Sequence, residues 1–295
     1  MKSKDIKFLI IVIVIISSVL LSISCTKEKP KKTKYVDLSI SISNDALGDP
    51  KLPEITYINH KQGAETMKKY FKGLEPEKHL PDGNGWAVEW VKLNTHHGTH
   101  LDAPYHYSPF MNRATKQEKA WTIDQIPLEW CFGNLVVLDF SKKPDGYLLT
   151  KNDIKKKLKQ MTYMLKKGDI VTIHTSAAEH WGKADYFNKG CGVSKEATLY
   201  ILSHGINVVG TDAWSWDAPF KYTNGKWKKS IEEGKPNGKM IWEGHFAGIE
   251  KAYCHMEKLT NLDKVPSLGA KIYCFPIKIE GASGGWIRAI AEIEE

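Results

Sequence analysis

Apolar and polar positions alternate or cluster along this chain in a way that separates strands from helices. Residues 35–42 (YVDLSISI) alternate in part and predict an opening strand. Residues 86–93 predict a strand leading into a histidine-rich stretch. Two short unbroken apolar runs, residues 134–140 (NLVVLDF) and 169–174 (DIVTIH), predict strands buried on both faces. Residues 206–210, 270–279 and 286–293 predict further strands. Helices are marked by their ends. Thr150, with Asp153 three residues on, opens the run DIKKKLKQM. Ser194 caps SKEATLYILSHG, which Gly205 ends. A short helix is expected over residues 66–74, and an insertion loop over the polar, Gly- and Lys-rich residues 221–241. Strands and helices alternate through the second half with no repeat and no clean boundary. The pattern therefore predicts one mixed α/β (α+β) domain over residues 35–295.

The first 34 residues follow a different rule. Lys2, Lys4 and Lys7 precede an almost continuous hydrocarbon run over residues 8–21, which ends Leu21-Ser22-Ile23-Ser24-Cys25. A basic flank, an apolar run of this length and small residues at its end read as a secretory signal over residues 1–25. The end of the run resembles a bacterial lipobox, although Ser22 stands where Leu is usual. Cys25 is the expected lipidation site. Residues 26–34 are a Lys- and Pro-rich tether. The body is thus expected in a bacterial cell envelope, extracytoplasmic and held to the membrane by an N-terminal lipid anchor.

Charge adds one exclusion. The net charge is +8, but residues 1–25 carry +2 and residues 26–34 carry +4, leaving +2 for the body. A body so close to neutral, without zinc-finger spacing or an aromatic RNA-binding signature, gives no support for a nucleic-acid partner. Cys131, Cys191, Cys254 and Cys274 are scattered with no CxxC, which is no disulfide framework, and the spacing does not pair them.

The chemistry concentrates in residues 96–106, THHGTHLDAPYH with its leading threonine, where four of the eleven histidines fall. Gly98 and Pro104 argue against a continuous helix. A strand end running into a tight turn lets His96, His100 and Asp102 converge. Two imidazoles and a carboxylate suit Zn, Mn or Fe(II) and leave positions open for water or substrate. His106, four residues past Asp102, is near enough to act on a bound group without being a ligand. His97 is expected to face outward. Nucleophilic serine chemistry has no support, since there is no GxSxG.

His96-x-Gly98-Thr99-His100-x-Asp102-x-Pro104-x-His106 resembles the signature HxGTHxDxPxH of the cyclase-like metal-dependent hydrolases, which include bacterial kynurenine formamidases and isatin hydrolases. Weaker echoes run from residue 35 to the end: Asp37-Leu38-Ser39, residues 168–171, Gly210-Thr211-Asp212 with Ser215 and Asp217, and residues 288–291. The resemblance implies a swivelling β/β/α fold and a homodimer or higher homo-oligomer. It also implies that His245 and Glu257, twelve residues apart, complete a site for one or two Zn or Mn ions, with Asp102 between them. His255 is the rival to His245 but lies too close to Glu257 for that pattern. The implied function is a hydrolase that opens an amide, cyclic amide or lactone carbonyl of a small molecule. A metal ion lowers the pKa of its water to about 7, and His106 serves as the proton shuttle. The chain departs from the Arg-Thr-Gly common in such proteins, reading His174-Thr175-Ser176 instead. Trp90, Tyr105, Trp214 and Trp216 are candidate walls for a planar or aromatic substrate. The alternative on the same fold is a non-catalytic metal- or solute-binding lipoprotein, for which the non-ligand His106 would have no use.

Overall fold

Leu135, Val136, Val137 and Leu138 follow one another in the strand Phe132–Asp139, and all four are buried. A strand sends successive side chains to opposite faces, so such a run needs cover on both sides. The computed structural model, which describes residues 32–45 and 47–294, supplies that cover. Leu135 and Val137 enter one core with Leu101, Val208, Met256 and Ile272. Val136 and Leu138 enter a second core with Val171, Ile173, Ile201 and Val209.

Nine strands form one sheet in the order Thr33–Asp37, Ile290–Glu294, Ala270–Tyr273, Phe132–Asp139, Ile170–His174, Val208–Thr211, Cys254–Glu257, His100–Asp102 and Gly284–Trp286. The run from Phe132–Asp139 to Cys254–Glu257 is parallel throughout. Pairing turns antiparallel on both sides of it, at Ala270–Tyr273 and at His100–Asp102. The helices Lys151–Gln160 and Lys195–Leu202 make the crossovers between parallel strands, and their apolar residues Ile154, Leu158, Ala197, Ile201 and Leu202 close the second core. The architecture is the mixed α+β single domain expected from the pattern.

Several local expectations change. The first helix is His60–Met67 rather than residues 66–74, because Asn59 and Gln62 form a reciprocal capping box upstream. The expected insertion loop begins as a thirteen-residue helix, Phe220–Glu232, entered from Pro219 and carrying Gly225 at a modest cost. The strand expected over residues 86–93 is Val88–Lys92, and it pairs only with Glu54–Ile58 in a separate two-stranded hairpin. The last two predicted strands are shorter than expected and resolve into Ala270–Tyr273, Gly284–Trp286 and Ile290–Glu294. Cys131, Cys191, Cys254 and Cys274 are buried free thiols. The signal, Cys25 and most of the tether lie outside the described residues, among which no helix is long and apolar enough to cross a membrane.

The cap of the Lys151–Gln160 helix yields a test. Burial works against the Asp153 charge. The Thr150 amide and hydroxyl, Lys143 and Tyr147 all donate to it and outweigh burial, bringing the carboxyl from 3.8 to about 2. A depressed carboxyl contributes stability above its unfolded pKa and loses it as pH falls through the folded one, an amount that solvent screening keeps below the full shift at this partly exposed group. Asp153→Ala is expected to cost about 1–2 kcal/mol in urea unfolding near neutral pH, a deficit that shrinks as pH falls from about 4 towards 2. A deficit independent of pH would contradict the assignment.

Candidate metal centre

The antiparallel register pairs His255 with Asp102, Met256 with Leu101 and Glu257 with His100. Residues directly opposite one another share a face of the sheet. Leu101 and Met256 therefore fall into the first core, while His100, Asp102, His255 and Glu257 make a buried two-by-two polar grid on the other face.

The surrounding chain fixes each ring. Gly98 turns at φ +64, its amide donating to Asp49 Oδ2 (3.3 Å) and its carbonyl accepting from His100 Nδ1 (2.8 Å). His100 Nε2 faces Asp102 Oδ1 at 3.2 Å. Pro104 starts the short helix Pro104–Tyr107, which returns His106 to the cluster with Nε2 3.9 Å from Asp102 Oδ2. His96 lies between Asp102 Oδ1 (2.5 Å from Nδ1) and Ser283 Oγ (2.8 Å from Nε2). A Cβ on Gly284 would come within 2.7 Å of the His96 ring, so the neighbouring strand needs glycine there. The His96 carbonyl accepts from Lys258 Nζ (2.7 Å), whose buried ammonium pairs with Asp49 at 2.6 Å. Asp217 accepts from the amides of Gly244 and His245 and from His245 Nδ1 (2.5 Å), which leaves Nε2 3.6 Å from Glu257 Oε1. A carboxylate behind a histidine is the usual support of a metal ligand.

Electrostatics follow from this packing. Burial alone would push Asp102 up, but His106, His100, His96 and His255 around it hold it well below the usual carboxylate range. Glu257 is likewise opposed by burial and drawn down to about 2 by His255. Burial disfavours a charged His255, yet the two carboxylates override it and raise the ring to about 9. At His106 burial prevails over Asp102 and lowers the ring to about 4, so it is neutral at neutral pH.

Three atoms of the grid, His100 Nε2, Asp102 Oδ2 and His255 Nε2, are buried without a hydrogen-bond partner. His255 Nε2 lies only 2.7 Å from Asp102 Oδ2, so proximity without hydrogen-bond geometry is the common feature. Buried polar atoms are seldom left this way. A divalent cation satisfies them together, and nitrogen and carboxylate donors are the set such a cation takes. The donor atoms of Asp102, His245, His255 and Glu257 lie within 4.8 Å of one another, as do those of His96, Asp102 and His106. Asp102 belongs to both groups. The residues present therefore fit a divalent metal.

All six polar residues singled out from the sequence, His96, His100, Asp102, His106, His245 and Glu257, come together here. His255 also belongs, beside His245 rather than instead of it. The signal was the alternation in Cys254–Glu257, which puts both His255 and Glu257 on one face. His97 does not face outward: it is buried against Asp49, 3.4 Å from Nδ1 to Oδ2.

A cavity of about 600 Å³ opens over the cluster, walled by Trp214, Phe220, Trp242 and Leu52 above His96, His106, His245 and Glu257. Trp242 stacks on His245 with ring centres 4.1 Å apart and contacts His106 edge-on. Its place three residues before His245 was the overlooked clue. Of the four expected aromatic walls, Trp214 lines the cavity, its indole anchored on Asp49 at 2.9 Å. Trp216 is core: fully buried, it donates to Thr198 and stacks behind His255. Trp90 is 72% exposed on the separate hairpin, and Tyr105 borders a different groove with Phe110 and Trp121.

Fold and cluster together define a cyclase-like metal-dependent hydrolase. The chain belongs to the Cyclase family, whose model, described as "Putative cyclase", matches residues 36–218. The isatin hydrolase of Roseibium aggregatum is 28% identical over 226 residues, covering 71% of this chain and 76% of that protein. The crystal structure of an isatin hydrolase bound to the product analogue thioisatinate superposes with a TM-score of 0.65 at 22% identity over the whole of both chains. Isatin hydrolase A from Ralstonia solanacearum gives 0.64 at 22% identity, over 89% of this chain and 92% of that one.

The two metal-like groups make separable demands. His255→Ala is expected to weaken binding of a divalent ion at least about tenfold in equilibrium dialysis, with the fold retained by circular dichroism. His106→Ala is expected to keep its metal. Metal loss in the His106 variant would make that residue a ligand, and full retention in the His255 variant would remove His255 from the set.

Proposed function

We propose that this chain hydrolyses the carbon–nitrogen bond of a small planar amide, with a cyclic aryl amide as the substrate class that fits best. The observation that carries the reading is the Asp102-centred cluster at the floor of a cavity walled by Trp214, Trp242 and Phe220. The isatin hydrolase relatives support the same choice. Flat aromatic walls favour a flat ligand, and a volume of about 600 Å³ suits a small one.

His96, His100, Asp102, His245, His255 and Glu257 would hold Zn or Mn, as one or two ions. When bound, the metal supplies a Lewis acid for the carbonyl oxygen and a water that ionises near neutral pH. The remaining work falls to side chains. His106, kept neutral by burial and facing the cavity, accepts a proton at Nε2 from the attacking water. It then returns that proton to the departing nitrogen, which leaves as an amine rather than as an unstable anion. Trp242 packs edge-on against His106 and holds the ring over the cluster. Asp217 keeps His245 in one tautomer, and Lys258 fixes the backbone of His96.

The test is proton release by the metal-loaded protein on a panel of isatin-like cyclic amides, aryl formamides, cyclic imides and lactones. Chelator-sensitive turnover of a cyclic amide is expected, abolished in Asp102→Ala and reduced about 10²–10⁴-fold in His106→Ala. Turnover confined to lactones would redirect the substrate class. Silence from folded, metal-loaded protein across the panel would favour a binding role without catalysis.

A further inference from the structure

A second buried carboxylate is only half satisfied. Asp212 follows the strand Val208–Thr211, and its Oδ1 accepts from both the amide and the hydroxyl of Thr175, each at 2.7 Å. Its Oδ2 is buried without a hydrogen-bond partner, and the residue as a whole is 1% exposed. Opposite lies His174, the last residue of the adjacent parallel strand, with Nε2 4.0 Å from that oxygen. On its other side His174 Nδ1 faces Asp139 Oδ1 at 3.5 Å, and Asp139 ends the next strand in turn. Three consecutive carboxyl-terminal strand ends therefore set out Asp139, His174 and Asp212 in a row. That edge of a parallel sheet is where open α/β sheets take ligands.

His174 and Asp212 line a cavity of about 230 Å³ that shares no residue with the one over the Asp102 cluster. Two of its other lining residues, Ser176 and Asn261, are non-glycine residues in the left-handed region, at φ 66 and 56. Glu179 and Asp263 also line the cavity; its one lysine, Lys264, donates to Asn261 Oδ1 at 2.8 Å.

We propose that this cavity is a second divalent-cation site, separate from the hydrolase centre, with His174 Nε2 and Asp212 Oδ2 as its protein ligands. Asp139 Oδ1 stands 3.5 Å behind Nδ1 while Nε2 faces Asp212, the order of carboxylate, ring and ligand position found behind metal-binding histidines. Donors about 2.0–2.2 Å from one ion stand roughly 3.4–3.6 Å apart at tetrahedral angles, so the 4.0 Å separation closes by about half an ångström through side-chain rotation, without moving either strand. Water completes the coordination, since among the described residues no third His, Cys, Asp or Glu joins His174 and Asp212 in a ligand-sized group. A cation here ties together the ends of three strands and the loop at Asn261. It also steadies the root of the segment that carries Trp214 into the other cavity.

The probe is Co²⁺ alone, added to the full-length chain in detergent. Metal stoichiometry is measured by equilibrium dialysis and position by anomalous scattering from crystals. Wild type is expected to show a peak between His174 and Asp212 besides metal at the Asp102 cluster. Asp212→Asn and His174→Arg should each lose one equivalent and that peak alone. His174→Arg places a guanidinium where the cation would sit, so it should fold and unfold at a temperature that added Co²⁺ no longer raises through this site. The proposal is overturned if Co²⁺ fills the Asp102 cluster of wild type without density at His174. Unchanged stoichiometry in both folded variants would overturn it equally.

Discussion

The cluster depends on one register. Cys254–Glu257 lies against His100–Asp102 so that Leu101 faces Met256, while His255 and Glu257 face Asp102 and His100. A slip of one residue would exchange the two faces. The carboxylate and imidazole of the strand that moved would then enter the apolar core shared with Leu135, Val137 and Ile272, and its apolar residue between them would point at the cavity. Burying unpaired charge costs far more than misplacing a leucine, so the polar grid helps define the pairing that creates it. Gly284 on the next strand meets the same constraint from the other side, because only the absence of a Cβ admits the His96 ring beside Asp102.

The pattern of apolar runs made the strands legible, since two-sided burial in a parallel sheet leaves an unmistakable run such as residues 134–140. The helices after Thr150 and Ser194 were legible through their caps, and the structure shows both caps bonded as expected. The helix over Phe220–Glu232 was not, because Lys, Asn and Gly obscure its period and only Ser230 of its thirteen residues is buried. The site divides in a similar way. Residues close in sequence, from His96 to His106, could be grouped by spacing. His255 could not be weighed by spacing, since its place is set by alternation within a strand and by a partner strand some 150 residues away in sequence. Trp90 and Trp216 flank the motifs in sequence but not in space: one sits on a hairpin outside the main sheet, the other behind the cluster.

The histidines are not equivalent, and the support behind each shows why. His245 and His100 are held by hydrogen bonds at Nδ1, to a carboxylate and to a carbonyl, which aims their Nε2 atoms at the cluster. His106 has no such partner. It is held by stacking on His96, with ring centres 4.0 Å apart, and by Trp242. A ring held by packing alone is free to exchange its proton without breaking a supporting bond. Its position at the cavity wall lets that proton reach a ligand. The division into fixed rings and one unfixed ring is what a site needs if some imidazoles are to bind a cation and another is to move protons.

The same arrangement ties stability to occupancy. Asp102 and Glu257 lie buried side by side, and their mutual repulsion is offset by the surrounding imidazoles and, at Glu257, by the Trp216 amide. Protonating those rings neutralises the carboxylates but occupies the nitrogens a metal requires, so protons and metal compete for one set of atoms. A cation that binds the folded chain and not the unfolded one adds stability in proportion to the logarithm of its concentration over its dissociation constant. The register that brings the four polar residues together is thus most secure under the conditions in which the site can act, at a pH high enough to free the rings and with metal at hand. Folding and the assembly of the cluster share one electrostatic requirement, because the strands that build the sheet also carry its carboxylates and imidazoles.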